Sequence, residues 1–436
     1  MAGSMLLVAC LALGSSHYAI QYWPQLHGPK NRYLTWLNLQ SEYDAPTVTE
    51  PVNLSPISKP AIPNQRESLE DRVAQLIITK NSNIEKHFPG GVLLTKQDTR
   101  KGHLFGKHPS YDPERTQAAV EDILEKAKAM KKRVLIFDEG EGGFVMRVGT
   151  LPAAFDIGNY YQNNVIAGTL TDRVTPSANK SQRAQEVYKL FDEYAKELRS
   201  RGVDVVLGPV LDVIWRNQSK NIITRDNRSF GYKHSTVREI AELYINAMHK
   251  YGVKVIGKHF LGIGIPKEGD IHEEEVGQTK RIIPRVWAMN LYKRFRNDLD
   301  GVLVTHLTNP SDNGTPYSVS QRSLDALTKP TYADGTRRGV NFNGLVIVDD
   351  LSMKALLRYV ERKNLNPRES RLLSGCTTSE AKAAVLTMDA GAHVVIALSA
   401  DTDAIVKGVT HAYHADRGFK VKAENALMHY NDFASK

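Results

Sequence analysis

The sequence predicts an α/β fold of the (β/α)8 TIM-barrel type, with one strand irregular or missing from view. Three observations predict it. Short, nearly uniform apolar runs recur along the chain, helical stretches separate most of them, and polar residues gather where the runs end. Strands buried on both faces read as continuous apolar runs, the signature of a parallel sheet covered by helices. The chain has 436 residues, enough for one large barrel, since single barrels commonly reach about 250 residues. A doubly wound open sheet is the competing architecture.

The elements follow in order. Residues 1–66 read as a signal- or anchor-like segment followed by a tether. Met5–Leu13 is an apolar stretch too short to span a bilayer, and Leu7-Val-Ala-Cys10 resembles a lipoprotein cleavage site, although no Lys or Arg precedes it. Thr47–Pro63 is proline-rich in a Ser/Thr/Asn setting, as extended linkers are. A tether of this kind favours an exported or membrane-attached protein; a cytoplasmic one is the alternative. Residues 67–436 are read as one barrel domain. It opens with an amphipathic helix in Leu69-Glu-Asp-Arg-Val-Ala-Gln-Leu-Ile77. Strand-like runs follow at Gly91–Thr95, Val134–Phe137, Val203–Leu207, Val253–Gly257, Gly301–Thr305, Leu345–Val348 and His393–Leu398. Helices are predicted at Gln117–Met130, Ser181–Arg201, Thr236–Tyr251 and Ser379–Ala390.

Composition excludes several functions. The chain is 41% hydrophobic and 24% charged, as ordinary globular proteins are. A net charge of +9 is spread along the chain without a basic block, so no nucleic-acid partner is expected. Two cysteines, Cys10 and Cys376, make no disulfide framework. Gly262-Ile-Gly264 lacks the third glycine of a dinucleotide loop, and no Walker-type Gly-Lys-Ser/Thr occurs. No zinc-ligand spacing appears either. Neither metal nor cofactor is therefore expected.

The polar residues at the strand ends carry the functional signal. Asp138 and Glu139 follow one run and Asp212 another. Lys258 with His259, then His306, then Asp349 with Asp350, close the next three. In a barrel these ends open on one face, where active sites of this architecture are built. Each residue also has a plainer reading. Asp350 can cap a helix starting near Leu351, Asp212 can brace a loop, and His306 can be a packed, hydrogen-bonded histidine. Asp349 closes a strand of Leu, Val and Ile, where a carboxylate costs roughly several kcal/mol unless donors are supplied; Lys258 and Arg228 are candidates to supply them. Downstream of Lys258, a glycine-rich loop carries Asp270 and His272. An Asp beside a His can fix its tautomer and raise its pKa, although Asp270–Glu275 also reads as a solvated helix start.

Taken in order, these segments resemble glycoside hydrolase family 3, in its bacterial β-N-acetylhexosaminidase branch. The resemblance rests on Glu141-Gly-Gly-Phe-Val-Met-Arg147, Leu151-Pro-Ala-Ala154, Gly208-Pro-Val-Leu-Asp-Val213 and Arg228-Ser-Phe-Gly231. It continues through Lys258-His-Phe-Leu-Gly262, Asp270-Ile-His272 and Val348-Asp-Asp-Leu-Ser-Met353. It implies a retaining hydrolase acting on N-acetylglucosamine-containing oligosaccharides. Asp349 would be the nucleophile and His272, oriented by Asp270, the acid/base, in place of the usual second carboxylate. Arg228, Lys258 and His259 would hold the sugar, with Glu139 or Asp138 and His306 beside them. Glu139 stands where the family has its sugar-binding Asp, and Asp138 would fill that place only after a one-residue shift. Leu261 and Ile263 stand where the family has Pro and His, and Val348 where it has Ser. A phosphorylase of the same family and a glycan-binding barrel of weak activity are the other readings. The oligomeric state is left open.

Overall fold

The computed structural model describes residues 67–84, 87–101, 110–214, 221–263, 282–331 and 339–436, all within one compact unit. Segment 1–66, with its anchor and tether reading, and the Asp270–His272 pair lie outside the described residues.

Eight parallel strands close a barrel: β1 (Ile77–Thr79), β2 (Gly91–Leu93), β3 (Leu135–Asp138), β4 (Val205–Val206), β5 (Lys254–Phe260), β6 (Gly301–Val304), β7 (Leu345–Asp350) and β8 (Val394–Ile396). Each pairs with its neighbours in sequence, and β1 closes the ring against β8, with Ile77 opposite Val395. The open-sheet alternative is thereby removed. The expected (β/α)8 barrel is complete, and the strand missing from the sequence reading is β1. It lies inside the run read as one helix. The helix stops at Ala74, and Leu76, Ile77 and Ile78 turn into the barrel wall, fully buried. An apolar end to a short amphipathic helix cannot be told from a buried strand by periodicity alone.

The inner residues explain the closure. Val302–Val304, Leu345–Val348 and Val394–Ile396 are buried throughout, and a fully buried Val, Leu or Ile contributes roughly 1.5–3 kcal/mol. Surrounding helices start at side-chain caps. Asp112 accepts from the amides of Glu114 and Arg115 ahead of Pro113–Ala129, and Asn179 from Ser181 ahead of Lys180–Ser200. Among the described residues, no helix is long and apolar enough to cross a membrane.

Two strands are irregular where the site lies. Along β7, Val348 faces Val395 and Asp350 faces Ile396, so Asp349 is one extra residue in the register against β8. Along β5, Gly257 faces Val302 and Phe260 faces Val304, so the stretch with Lys258 and His259 holds one residue more than β6 does. Bulges of this kind re-aim side chains and recur beside active sites.

Candidate active site

The strand ends meet as expected, at the C-terminal mouth of the barrel. Their side chains form a connected ionic network. Glu141 lies in the loop after β3 with its side chain wholly buried. Arg228 grips it in a bidentate pair, Nε to Oε2 at 2.6 Å and Nη2 to Oε1 at 2.7 Å. Lys258 reaches Oε1 of the same carboxylate at 2.6 Å and Oε2 of Glu139 at 2.7 Å. Glu139 in turn has Arg147 at 3.9 Å. On the other side, His259 Nδ1 lies 2.7 Å from Asp212 Oδ2, and its Nε2 lies 3.3 Å from Arg228 Nη2. A carboxylate at Nδ1 places the proton there and leaves Nε2 to accept from the guanidinium, the tautomer these contacts require.

The network holds its charges despite the burial. Lys258 is 1% exposed; burial works against its charge, but Glu139 and Glu141 outweigh it and its pKa is raised. Burial likewise opposes ionisation of Glu141, yet Arg228 and then Lys258 hold its carboxyl well below the usual range. Arg228 is held above its ordinary value, against its own burial, by Glu141 first and then by Glu139 and Asp212. Removing any one member would strand an opposite charge in a dry setting.

Glu141 was not expected at the centre of the site. The signal was present in the sequence, because a glutamate wedged between a buried strand and two glycines needs a partner. The first glycine shows why the type matters. Gly142 has φ +83°, and a Cβ there would lie 2.1 Å from the Pro152 carbonyl oxygen.

Asp138 has a different place. It is fully buried, and its oxygens accept from Tyr194 Oη at 2.6 Å and from the amides of Gly140 and Val148 at 3.1 Å each. Burial raises its pKa, with Tyr194 pulling the other way. The carboxylate thus braces the loop that carries Glu139, Glu141 and Arg147. Glu139 reaches into the network; Asp138 stands behind it.

His306 is also behind the mouth. It is fully buried, with Nδ1 2.7 Å from Ser318 Oγ and Nε2 3.2 Å from the Asp350 carbonyl oxygen. Burial lowers its pKa, against Asp349 and Asp350. A neutral ring donating through Nε2 therefore holds the backbone of the β7 bulge. Asp350 does not cap a helix, because the next one begins only at Lys354 behind Met353. Its carboxyl instead accepts from Ser352 Oγ at 2.6 Å and from the Leu398 amide at 3.2 Å, and burial raises its pKa. Asp349, half-buried like Asp350, has its Oδ1 accepting from the Asp350 amide at 2.9 Å. Lys258 and Arg228, expected as donors to Asp349, make the contacts described above with Glu139, Glu141 and His259.

The loop after β5 starts from a fixed point. Leu261 and Ile263 are buried, and Asn221, itself buried, donates to the Ile263 carbonyl at 2.8 Å.

Comparisons with known proteins agree with this fold. The family model described as the glycosyl hydrolase family 3 N-terminal domain matches residues 68–415. A β-hexosaminidase of Psychromonas ingrahamii is 31% identical over 276 residues, 61% of this chain and 70% of that one. A β-hexosaminidase of Idiomarina loihiensis is 26% identical over 234 residues, 53% of this chain and 62% of that one. The chain thus aligns with less than two thirds of the second relative's length. Among solved structures, the β-N-acetylhexosaminidase of Beutenbergia cavernae has the same fold, with a TM-score of 0.61 at 19% identity over 86% of this chain and 100% of that one.

Proposed function

As the chain belongs to glycosyl hydrolase family 3, we propose that it is a retaining β-N-acetylglucosaminidase acting on peptidoglycan- or chitin-derived saccharides. The observation that carries the proposal is the placement of Asp349. Its strand lifts it out of register at the barrel mouth, while its neighbour Asp350 is consumed by structural bonds. The hexosaminidase names of the two relatives point the same way.

In this mechanism an Asp349 oxygen attacks the anomeric carbon as the bond to the aglycone oxygen breaks. His272 gives its proton to that departing oxygen. Water then attacks the anomeric carbon, its proton passes to His272, and the bond to Asp349 breaks to restore the carboxylate. Asp270 orients His272. Arg228 and Lys258 present fixed donors for the sugar hydroxyls and the N-acetyl group, His259 orients the Arg228 guanidinium through Nε2 while its Nδ1 proton goes to Asp212, and Glu139 accepts from a hydroxyl. Because Glu141 and Asp212 already orient these donors, little reorganisation remains when substrate enters.

The test is release of the aglycone from an aryl β-N-acetylglucosaminide between pH 5 and 8. Turnover well above an Asp349→Ala control supports the proposal, and turnover equal to that control refutes it. Formation of sugar 1-phosphate on adding phosphate would replace hydrolase with phosphorylase.

A further inference from the structure

A single buried side chain ties the loop after β4 to the start of the loop after β5. Asn221 is 1% exposed. Its Oδ1 accepts from the Ile223 amide at 2.9 Å and so caps the short helix Ile222–Arg225. Its Nδ2 donates to the Ile263 carbonyl at 2.8 Å. One contact needs the oxygen and the other the nitrogen, which fixes the orientation of the amide. The helix passes the constraint on, because its Ile223 carbonyl accepts from the Arg228 amide at 2.9 Å. One end of the link is therefore Ile263, and the other is the backbone of the arginine that grips Glu141.

The start of the loop after β5 needs such a tie. It reads Leu261-Gly262-Ile263, and both apolar side chains are buried. Gly262 has φ +97°, a conformation that glycine enters and leaves at little cost. Leu261 stands where the family resembled has Pro, so no ring fixes φ there. Burial of Leu261 and Ile263 is non-directional. It holds two side chains without setting the heading of the chain beyond them. The bond from Asn221 is directional, and it falls on the carbonyl from which the chain runs on to Asp270 and His272.

We infer that Asn221 is a positioning residue for the acid/base. It touches no substrate; by holding the Ile263 carbonyl it sets where the loop after β5 departs, and through that the place of His272 relative to the departing oxygen. The inference rests on the glycosidase reading above and adds a residue on which its proton transfer depends.

Aryl β-N-acetylglucosaminides of rising leaving-group pKa, offered to the full chain, test this. Ser and Asp cap helices about as well as Asn, so Asn221→Ser and Asn221→Asp keep the bond from the Ile223 amide. Ser is too short to reach Ile263, and the Asp carboxylate cannot donate to it. Both variants should unfold as cooperatively as the wild type. Their kcat/KM should fall about tenfold on poor leaving groups and by less than about twofold on activated ones. Amide exchange at Gly262, whose N–H bonds to the His259 carbonyl, should quicken in both. Wild-type activity on every substrate, as a residue that only caps its helix would give, overturns the inference. Equal losses on good and poor leaving groups overturn it too. Failure of the glycosidase reading shows separately, as wild-type protein that cleaves no aryl glycoside, while the tie between Asn221 and the loop is still read in the exchange at Gly262.

Discussion

Arg228 and Glu141 meet through two parallel bonds of 2.6 and 2.7 Å, and the carboxylate between them has no solvent exposure. This pair joins the two sides of the site. Through Glu141 it reaches Lys258 and Glu139, and through Arg228 it reaches His259 and Asp212. The donors expected to hold a sugar are therefore locked before any sugar arrives.

Glu141→Ala should consequently lower stability by about 3–5 kcal/mol, since it leaves two cations buried and uncompensated. Chemical denaturation measures this directly. Glu141→Gln keeps the shape but removes the charge, and should lose much of the same stability. A loss near zero for both would mean that solvent already screens the network.

Tyr194→Phe removes the hydroxyl 2.6 Å from Asp138 and nothing else. A buried carboxylate keeps two amide donors but loses its third, so stability should fall by about 1–3 kcal/mol. The Glu139–Val148 loop should loosen with it, read as faster amide exchange at Val148. Unchanged exchange there would limit Asp138 to a local role.

His393 makes stability depend on pH. Its ring stacks on His429 with centroids 4.0 Å apart, and its Nδ1 accepts from the Val346 amide at 3.1 Å. Burial, then His429, pushes its pKa down to about 3 from 6.5. The unfolded chain therefore binds a proton that the folded chain refuses between pH 6.5 and about 3. Stability should fall as pH drops through that window, by at most about 1.4 kcal/mol per unit from this group. Thermal unfolding from pH 7 to 4 should show a shallower acid loss in His393→Gln. Parallel curves would place the acid sensitivity elsewhere.

If His272 is the acid/base, His272→Ala should slow substrates with poor leaving groups far more than activated aryl glycosides, which need little protonation. Comparing kcat/KM across aryl leaving groups of rising pKa checks this. Equal losses on all of them would remove His272 from that role.

Much of this is legible in the sequence. Seven strands and the shared face of their polar ends follow from apolar runs and their endings, whereas Asp350, expected to cap a helix, accepts from Ser352 and the Leu398 amide instead. Three features are not. β1 is three residues long and continues an amphipathic helix, so its apolar pattern has no period of its own. The bulges at Asp349 and Lys258 depend on how neighbouring strands align, which no single strand encodes. The distinct roles of Asp138 and Glu139 depend on which side of the strand each carboxyl leaves, and a tyrosine 56 residues away decides that for Asp138. Glu141 was visible as a residue type but not as a centre, because its partners come from two other segments of the chain.

The central claim is that Asp349 forms the bond to the anomeric carbon. A fluorinated N-acetylglucosaminyl fluoride, which glycosylates the enzyme quickly and leaves slowly, tests it by mass spectrometry of the digested protein. One sugar adduct is expected, on the peptide that contains Asp349, and none in Asp349→Ala protein. An adduct on another residue, or full turnover by Asp349→Ala without any adduct, would contradict it.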